Sequence, residues 1–225
     1  MSNMVAFLSD LTANNDRDWF HAHKDEYAAA QAEFEALIRE LITELRSFDD
    51  SVPACEPKAL TFKLQRDTRF SRDKSPYNPA FRCHISSAGK APVPVGYFLS
   101  IRPDGRSFLG GGLFADIFMD ATQLIRTYLY ENADEFLRIV NAPDFRREFR
   151  VDGTALKSVP KEYPTDCAVA EHLKNKSWYI EYPFDAELLD DRAAFVRFAA
   201  EKYRLMKPFN DYLNRALAGF SLPTR

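Results

Sequence analysis

The stretch Val95-Gly96-Tyr97-Phe98-Leu99-Ser100-Ile101-Arg102-Pro103-Asp104-Gly105 decides the fold. Val95, Tyr97, Leu99 and Ile101 alternate with Gly96, Phe98 and Ser100, the period of two that buries one face of an extended strand. Pro103, Asp104 and Gly105 then mark a turn, because Pro presets φ, Asp bonds nearby backbone and Gly accepts positive φ. Residues 96–102 and 106–113 therefore read as a hairpin. Upstream, Phe81, Cys83 and Ile85 alternate with Arg82, His84 and Ser86. Before them, Leu60, Phe62 and Leu64 alternate with Thr61, Lys63 and Gln65. Successive strands with no helix between them predict an antiparallel meander, not a parallel sheet. Residues 177–183, Ser-Trp-Tyr-Ile-Glu-Tyr-Pro, add one more strand, about five in all.

Helical periodicity flanks this sheet on both sides. Residues 3–12 place Met4, Phe7, Leu8 and Leu11 on one face, and Asn14, Asn15 and Asp16 break that helix. A long helical region then begins near Arg17. Tyr27, Ala30, Phe34, Leu37, Leu41, Leu45 and Phe48 recur at spacings of three and four, one apolar stripe. After the hairpin, Asp120 with Gln123 resembles a capping box, and short helices are expected over 132–140 and 142–150. Residues 151–165 read as a loop. The end, 190–218, is helical through Phe195, Phe198, Leu205, Phe209 and Leu213, with Pro208 expected to kink or restart it. The expectation is a single α+β domain over 1–225: a mostly antiparallel sheet packed by long N-terminal and C-terminal helices.

Composition bounds the function. Of 225 residues, 46% are hydrophobic and 14% aromatic, enough apolar area to exclude a chiefly disordered chain. Cys55, Cys83 and Cys167 are widely spaced, with no C-x-x-C pair, which fits reduced thiols and neither a disulfide frame nor a zinc knuckle. His21 and His23 are two apart and cannot share a metal on one helix face, so no metal or cofactor is expected. No signal-like segment and no run of 18 apolar residues is present. The chain therefore reads as cytoplasmic, with no membrane partner. Net charge is −3, which gives nucleic-acid binding no global support.

That average hides two opposed regions. Residues 16–50 hold ten acids and four bases, net −6, a solvated helix face. Residues 63–75 hold five bases and two acids, net +3. Here Arg66-Asp67-Thr68-Arg69-Phe70-Ser71-Arg72-Asp73-Lys74-Ser75-Pro76-Tyr77 joins two expected strands. A connection cannot bury that many cations unpaired. Three readings follow. Asp67 and Asp73 cap turns and pair with the arginines; or the arginines grip an anionic ligand through their planar donor forks; or the loop binds nucleic acid, with Phe70 and Tyr77 stacking on bases. The ligand reading requires Arg66, Arg69 and Lys74 to converge on a concave pocket with free donors. His84, on the polar face of its strand, is a possible proton carrier or simply a strand residue. Gly110, Gly111 and Gly112 either let a ligand approach the backbone or let another element pack closely.

Several stretches together resemble the bacterial family known as domain of unknown function 2461. They are Asn14-Asn15-Asp16-Arg17-Asp18-Trp19-Phe20, Arg66 to Tyr77, Gly111-Gly112, Leu156-Lys157-Ser158-Val159-Pro160, and His172-Leu173-Lys174-Asn175-Lys176-Ser177-Trp178. The resemblance implies a compact cytosolic domain and brings no activity, cofactor or catalytic residue with it. The chain departs from the family's pattern at Leu113 to Asp116 and at Glu162. The candidate ligand-binding set is Arg66, Asp67, Arg69, Asp73, Lys74, Tyr77, Arg17, Lys157 and His84, for a small phosphate- or carboxylate-bearing molecule, with or without catalysis. The alternative is a non-catalytic module contacting protein or nucleic acid, in which the Arg/Asp motifs only build the fold. Oligomeric state is left open.

Overall fold

A computed structural model describes residues 2–223. The chain opens with α1 (Asn3–Ala13), α2 (Arg17–Ala22), α3 (Lys24–Arg46) and the single turn α4 (Pro57–Leu60). Strands β1 (Phe81–Ile85), β2 (Tyr97–Ile101) and β3 (Phe108–Leu113) follow, then α5 (Met119–Glu131), α6 (Ala133–Val140), α7 (Pro143–Glu148) and α8 (Ala170–Leu173). Strand β4 (Trp178–Pro183), a 3₁₀ turn (Ala186–Asp190) and α9 (Arg192–Ala216) complete it. The strands pair antiparallel in the order β1-β2-β3-β4. The architecture is α+β, a single domain.

Side-chain alternation places the core. Phe81, Cys83, Ile85, Tyr97, Leu99, Ile101, Leu109, Leu113, Trp178 and Ile180 share one face by register and are buried. Onto that face pack the stripe of α3, with Ala30, Phe34, Leu37, Leu41 and Leu45 fully buried, and the apolar side of α9. Phe34 meets Phe81 at 5.2 Å between ring centroids, and Tyr203 meets Tyr97 at 5.0 Å. Each fully buried Leu or Phe among these contributes about 1.5–3 kcal/mol of transfer free energy. α9 is also fixed by polar bonds. Asn210, buried, donates Nδ2 to the Gly96 carbonyl at 3.1 Å and accepts from the Gly112 N–H at 2.8 Å. Gly112 has φ +91°, and a Cβ there would lie 2.3 Å from the Trp178 carbonyl oxygen. The glycine run therefore serves close packing, and the Gly112 N–H is already engaged.

Four sequence expectations change. The sheet has four strands, not about five. After α4, residues 61–66 are extended but divide their pairing between two partners. Thr61 bridges Cys83 and the Phe62 N–H donates to Arg82, whereas Gln65 bridges Tyr77 and the Arg66 N–H donates to Pro76. An alternating pattern shared in this way cannot build one ladder. The long N-terminal helix is interrupted at His23, whose ring bonds the Trp19 carbonyl at 2.8 Å and stacks on the Trp19 ring. The Asp120 capping box does not form, because α5 starts at Met119 with Phe118 as its cap residue and Asp120 already inside the first turn. Of the two outcomes expected at Pro208, the restart does not occur, since α9 runs through it as one helix. Pro208 and Arg204 are both exposed, so water can satisfy the carbonyl that the missing N–H leaves free.

Candidate functional site

The site is assembled from two short connections. In the first, α1 ends at Asn14, and Asp16 caps α2 by accepting the Trp19 N–H at 2.8 Å. This holds Asn15 in a fixed turn between the two helices. In the second, residues 64–66 and 76–78 pair antiparallel: Asn78 N–H donates to Leu64 at 2.7 Å and Arg66 N–H to Pro76 at 2.8 Å. Residues 67–75 form the tip of this hairpin-like excursion. The Asn15 amide joins the two connections. Its Nδ2 donates to the Tyr77 carbonyl at 2.9 Å, and its Oδ1 accepts the Tyr77 N–H at 3.1 Å. The Tyr77 ring stacks on Phe20 at 4.2 Å. Buried aromatic contact and a paired amide thus fix the hairpin's base against the helical layer.

Asp and Arg side chains shape the tip. Asp73 accepts from the Ser75 N–H at 2.9 Å and Ser75 Oγ at 2.7 Å, and pairs with the Arg66 guanidinium. Arg66 also donates to the Ser75 carbonyl at 3.2 Å and Ser71 Oγ at 3.2 Å. The bonds from Ser75 and from Arg66 hold the Asp73 carboxyl well below the ordinary carboxylate range. Asp67 accepts from the Arg69 N–H at 3.2 Å and from its guanidinium at 2.6 Å, which lowers the Asp67 pKa and raises that of Arg69. Lys74 Nζ donates to the Thr68 carbonyl at 3.0 Å.

Between the two connections lies a cleft of about 270 Å³, lined by Asn15, Asp16, Arg17, Gln65, Arg66, Thr68, Lys74, Pro76 and Tyr77. Of the candidates taken from sequence, the structure brings Arg17, Arg66, Lys74 and Tyr77 to this cleft. Asp73 stands behind Arg66. Asp67 and Arg69 pair with each other at the exposed tip and do not line it, so the expected convergence of Arg66, Arg69 and Lys74 is not met: Arg69 is absent from the cleft, and Arg66 is already engaged by Asp73, Ser71 and Ser75. Lys157 is exposed on the loop after α7 and is not among the lining residues. His84 is buried on the sheet, where desolvation pushes its pKa down to about 4 and keeps the ring neutral at pH 7. Sequence reading missed Asn15 as the latch and Gln65 as lining. The available signal was the Asn-Asn-Asp run, which marks a helix break, a cap for the next helix at Asp16 or Asn15, and a family-like stretch, but not a contact with Tyr77.

Three cations, Arg17, Arg66 and Lys74, face this cleft with one carboxylate, Asp16, one of whose oxygens caps α2. The Arg17 side chain makes no hydrogen bond or ion pair among the described residues, and Lys74 has no carboxylate partner there. Three sides of a small anion could be met by N–H donors. Among the described residues, no group of three or more His, Cys, Asp or Glu side chains stands at metal-holding spacing, and no helix is long and apolar enough to cross a membrane.

The chain matches the family described as conserved hypothetical protein (DUF2461) over residues 3–212 and belongs to it. No curated protein and no solved structure matches the chain.

Proposed function

We propose that this member of the family binds a small phosphate- or carboxylate-bearing ligand in the cleft between the Asn15 turn and the 64–78 hairpin. One observation carries the reading: Arg17 and Lys74 enter the same cleft as Arg66 without a carboxylate partner of their own. Arg66 is pre-set by Asp73, Ser71 and Ser75, so little side-chain freedom is lost when it meets an anion. The cleft's size suits a compact anion, below the usual range for drug-sized ligands. Isothermal titration with inorganic phosphate, pyrophosphate and small di- and tricarboxylates tests it. Binding that weakens as salt rises and disappears in Lys74→Ala is expected. No heat and no thermal stabilisation by any of these anions at millimolar concentration overturns it.

A second reading rests on a different observation. Phe70, at the tip, is 97% exposed, and its neighbours Arg69 and Arg72 are exposed too. The Arg69 guanidinium lies 5.9 Å from the Phe70 ring centroid, and an exposed aromatic ring among arginines of the same tip suits contact with an acidic macromolecular surface. Phe70→Ala separates the two readings, since it leaves anion binding in the cleft intact and removes a partner contact at the tip.

A further inference from the structure

The side chains that line the cleft between the Asn15 turn and the 64–78 hairpin differ in what each offers to a hydrogen bond. Arg17, Arg66 and Lys74 donate only, because guanidinium and ammonium groups have no acceptor. Arg66 keeps its Nε–H and one Nη2 hydrogen beyond the bonds to Asp73, Ser71 and Ser75. Gln65, Thr68 and Tyr77 carry an amide or a hydroxyl, which turns to present either a donor or an acceptor. The Asn15 amide is spent in both directions on the Tyr77 backbone. Among the described residues that line the cleft, Asp16 has the one side chain that, ionised, accepts only.

Asp16 is also held in place. Its Oδ1 accepts the Trp19 N–H at 2.8 Å as the cap of α2, and its own N–H donates to the Asn14 carbonyl at 2.8 Å. Oδ2 is left with no hydrogen bond or ion pair among the described residues. The cap accounts for Asp16 by itself. What the free oxygen adds is a condition on the ligand: an anion beside it must bring a hydrogen, or else set one acceptor against another. Hydrogen phosphate brings one, because it keeps an O–H in neutral and mildly alkaline water. Sulfate and simple carboxylates bring none, and neither does a phosphate monoester above its second pKa of about 6.

We infer that the anion taken by this cleft is free hydrogen phosphate, and that Asp16 is the residue that selects it. The inference rests on the anion-binding reading above and narrows it from phosphates and carboxylates in general to an oxyanion with a proton of its own. In this arrangement the phosphate O–H donates to Asp16 Oδ2, and the remaining oxygens accept from Arg17, Arg66 and Lys74. Sulfate has the same tetrahedral shape and satisfies the three cations equally well. Its last oxygen then faces Oδ2 lone pair to lone pair. A site that hydrogen-bonds a ligand O–H rejects the analogue without it more strongly than any difference in size would allow.

Isothermal titration of the full chain at pH 8 and constant ionic strength compares inorganic phosphate, sulfate and methyl phosphate. All three are then mainly dianions, and only inorganic phosphate carries an O–H. Phosphate should bind about tenfold or more tightly than either of the others, the scale of one charge-assisted hydrogen bond lost. Asp16→Asn keeps the cap of α2, since Asn caps as well as Asp, and puts an amide N–H₂ where the free oxygen was. The ratio of phosphate to sulfate affinity should then fall to about one or below. Sulfate or methyl phosphate bound by the native chain as tightly as phosphate overturns the inference and leaves the anion-binding reading standing. So does an Asp16→Asn variant that folds and keeps the native preference. No binding of any of the three removes the reading and the inference together. The native-chain comparison decides the matter even if the variant does not fold.

Discussion

Two connections in this protein use the same device and end differently. In the β2–β3 hairpin, Asp104 accepts from the guanidinium groups of Arg102, at 3.1 Å, and Arg106, and from the Arg106 N–H at 3.3 Å. Those bonds hold its carboxyl far below the ordinary range. In the 64–78 hairpin, Asp67 and Asp73 grip Arg69 and Arg66 in the same manner. An Arg/Asp alternation is therefore a way to fix a turn, and by itself says nothing of a ligand. The difference lies in what remains. The hollow beside the β2–β3 hairpin sets Arg102 and Arg106 against Glu181, with Asp104 already between them. The cleft beside the 64–78 hairpin sets Arg17, Arg66 and Lys74 against Asp16. A functional reading belongs to the cations the turn does not use.

The largest expected effect breaks this comparison directly. Charge-assisted hydrogen bonds contribute about 1.5–3 kcal/mol each, so Arg17→Ala with Lys74→Ala should cost an anion bound in the cleft roughly 100-fold or more in affinity. Arg102→Ala with Arg106→Ala, on the matched turn, should leave that affinity unchanged. Titration calorimetry on both pairs reads the contrast. Equal losses would mean that only overall positive charge matters, and the cleft would lose its claim.

Next in size is the latch. Asn15→Ala removes two bonds to the Tyr77 backbone and leaves a partly buried N–H and carbonyl without their partner. The expected cost is about 1–3 kcal/mol in chemical denaturation. Anion affinity should fall as well, because the hairpin base is no longer tied to the turn that carries Arg17. Asn15→Asp keeps the acceptor for the Tyr77 N–H but opposes the Tyr77 carbonyl, and should recover only part of the loss.

How much of this was legible in sequence depends on range. The meander, the α3 stripe and the α9 stripe rest on local periodicity, and each lies where the alternation of Phe81 to Ile85 or of Tyr97 to Ile101, or the spacing of Phe34, Leu37 and Leu41, placed it. The strand expected at Leu60 to Leu64 failed because extended backbone does not reveal how many partners it pairs with. Arg66, Lys74 and Tyr77 were visible as one charged run, and Arg17 through its family-like stretch. Their meeting was not visible, because the Asn15–Tyr77 latch joins residues 62 apart and neither residue type announces it. Arg69 was grouped with Arg66 by spacing alone; its nearer Asp67 took it to the tip.

The smaller effects concern the tip itself. Asp73 has a pKa lowered from 3.8 by its bonds with Ser75 and Arg66. The order it gives the tip is complete above that value and is lost as pH falls from 3.8 toward the lowered native pKa. Amide exchange at Ser75 should therefore rise only in acid, and Asp73→Asn should show the raised rate at pH 7. The matched Asp104 turn should loosen in the same acid window at Arg106, since its carboxyl is lowered in the same direction. Phe70→Ala should do least of all. The ring is 97% exposed and gives the core nothing, so stability should shift by no more than about 0.5 kcal/mol. Anion affinity in the cleft should stay put. A loss of affinity in Phe70→Ala with the fold intact would place the ligand over the tip, and the line drawn here between cations that fix a turn and cations left for a ligand would move to include Arg69 and Arg72.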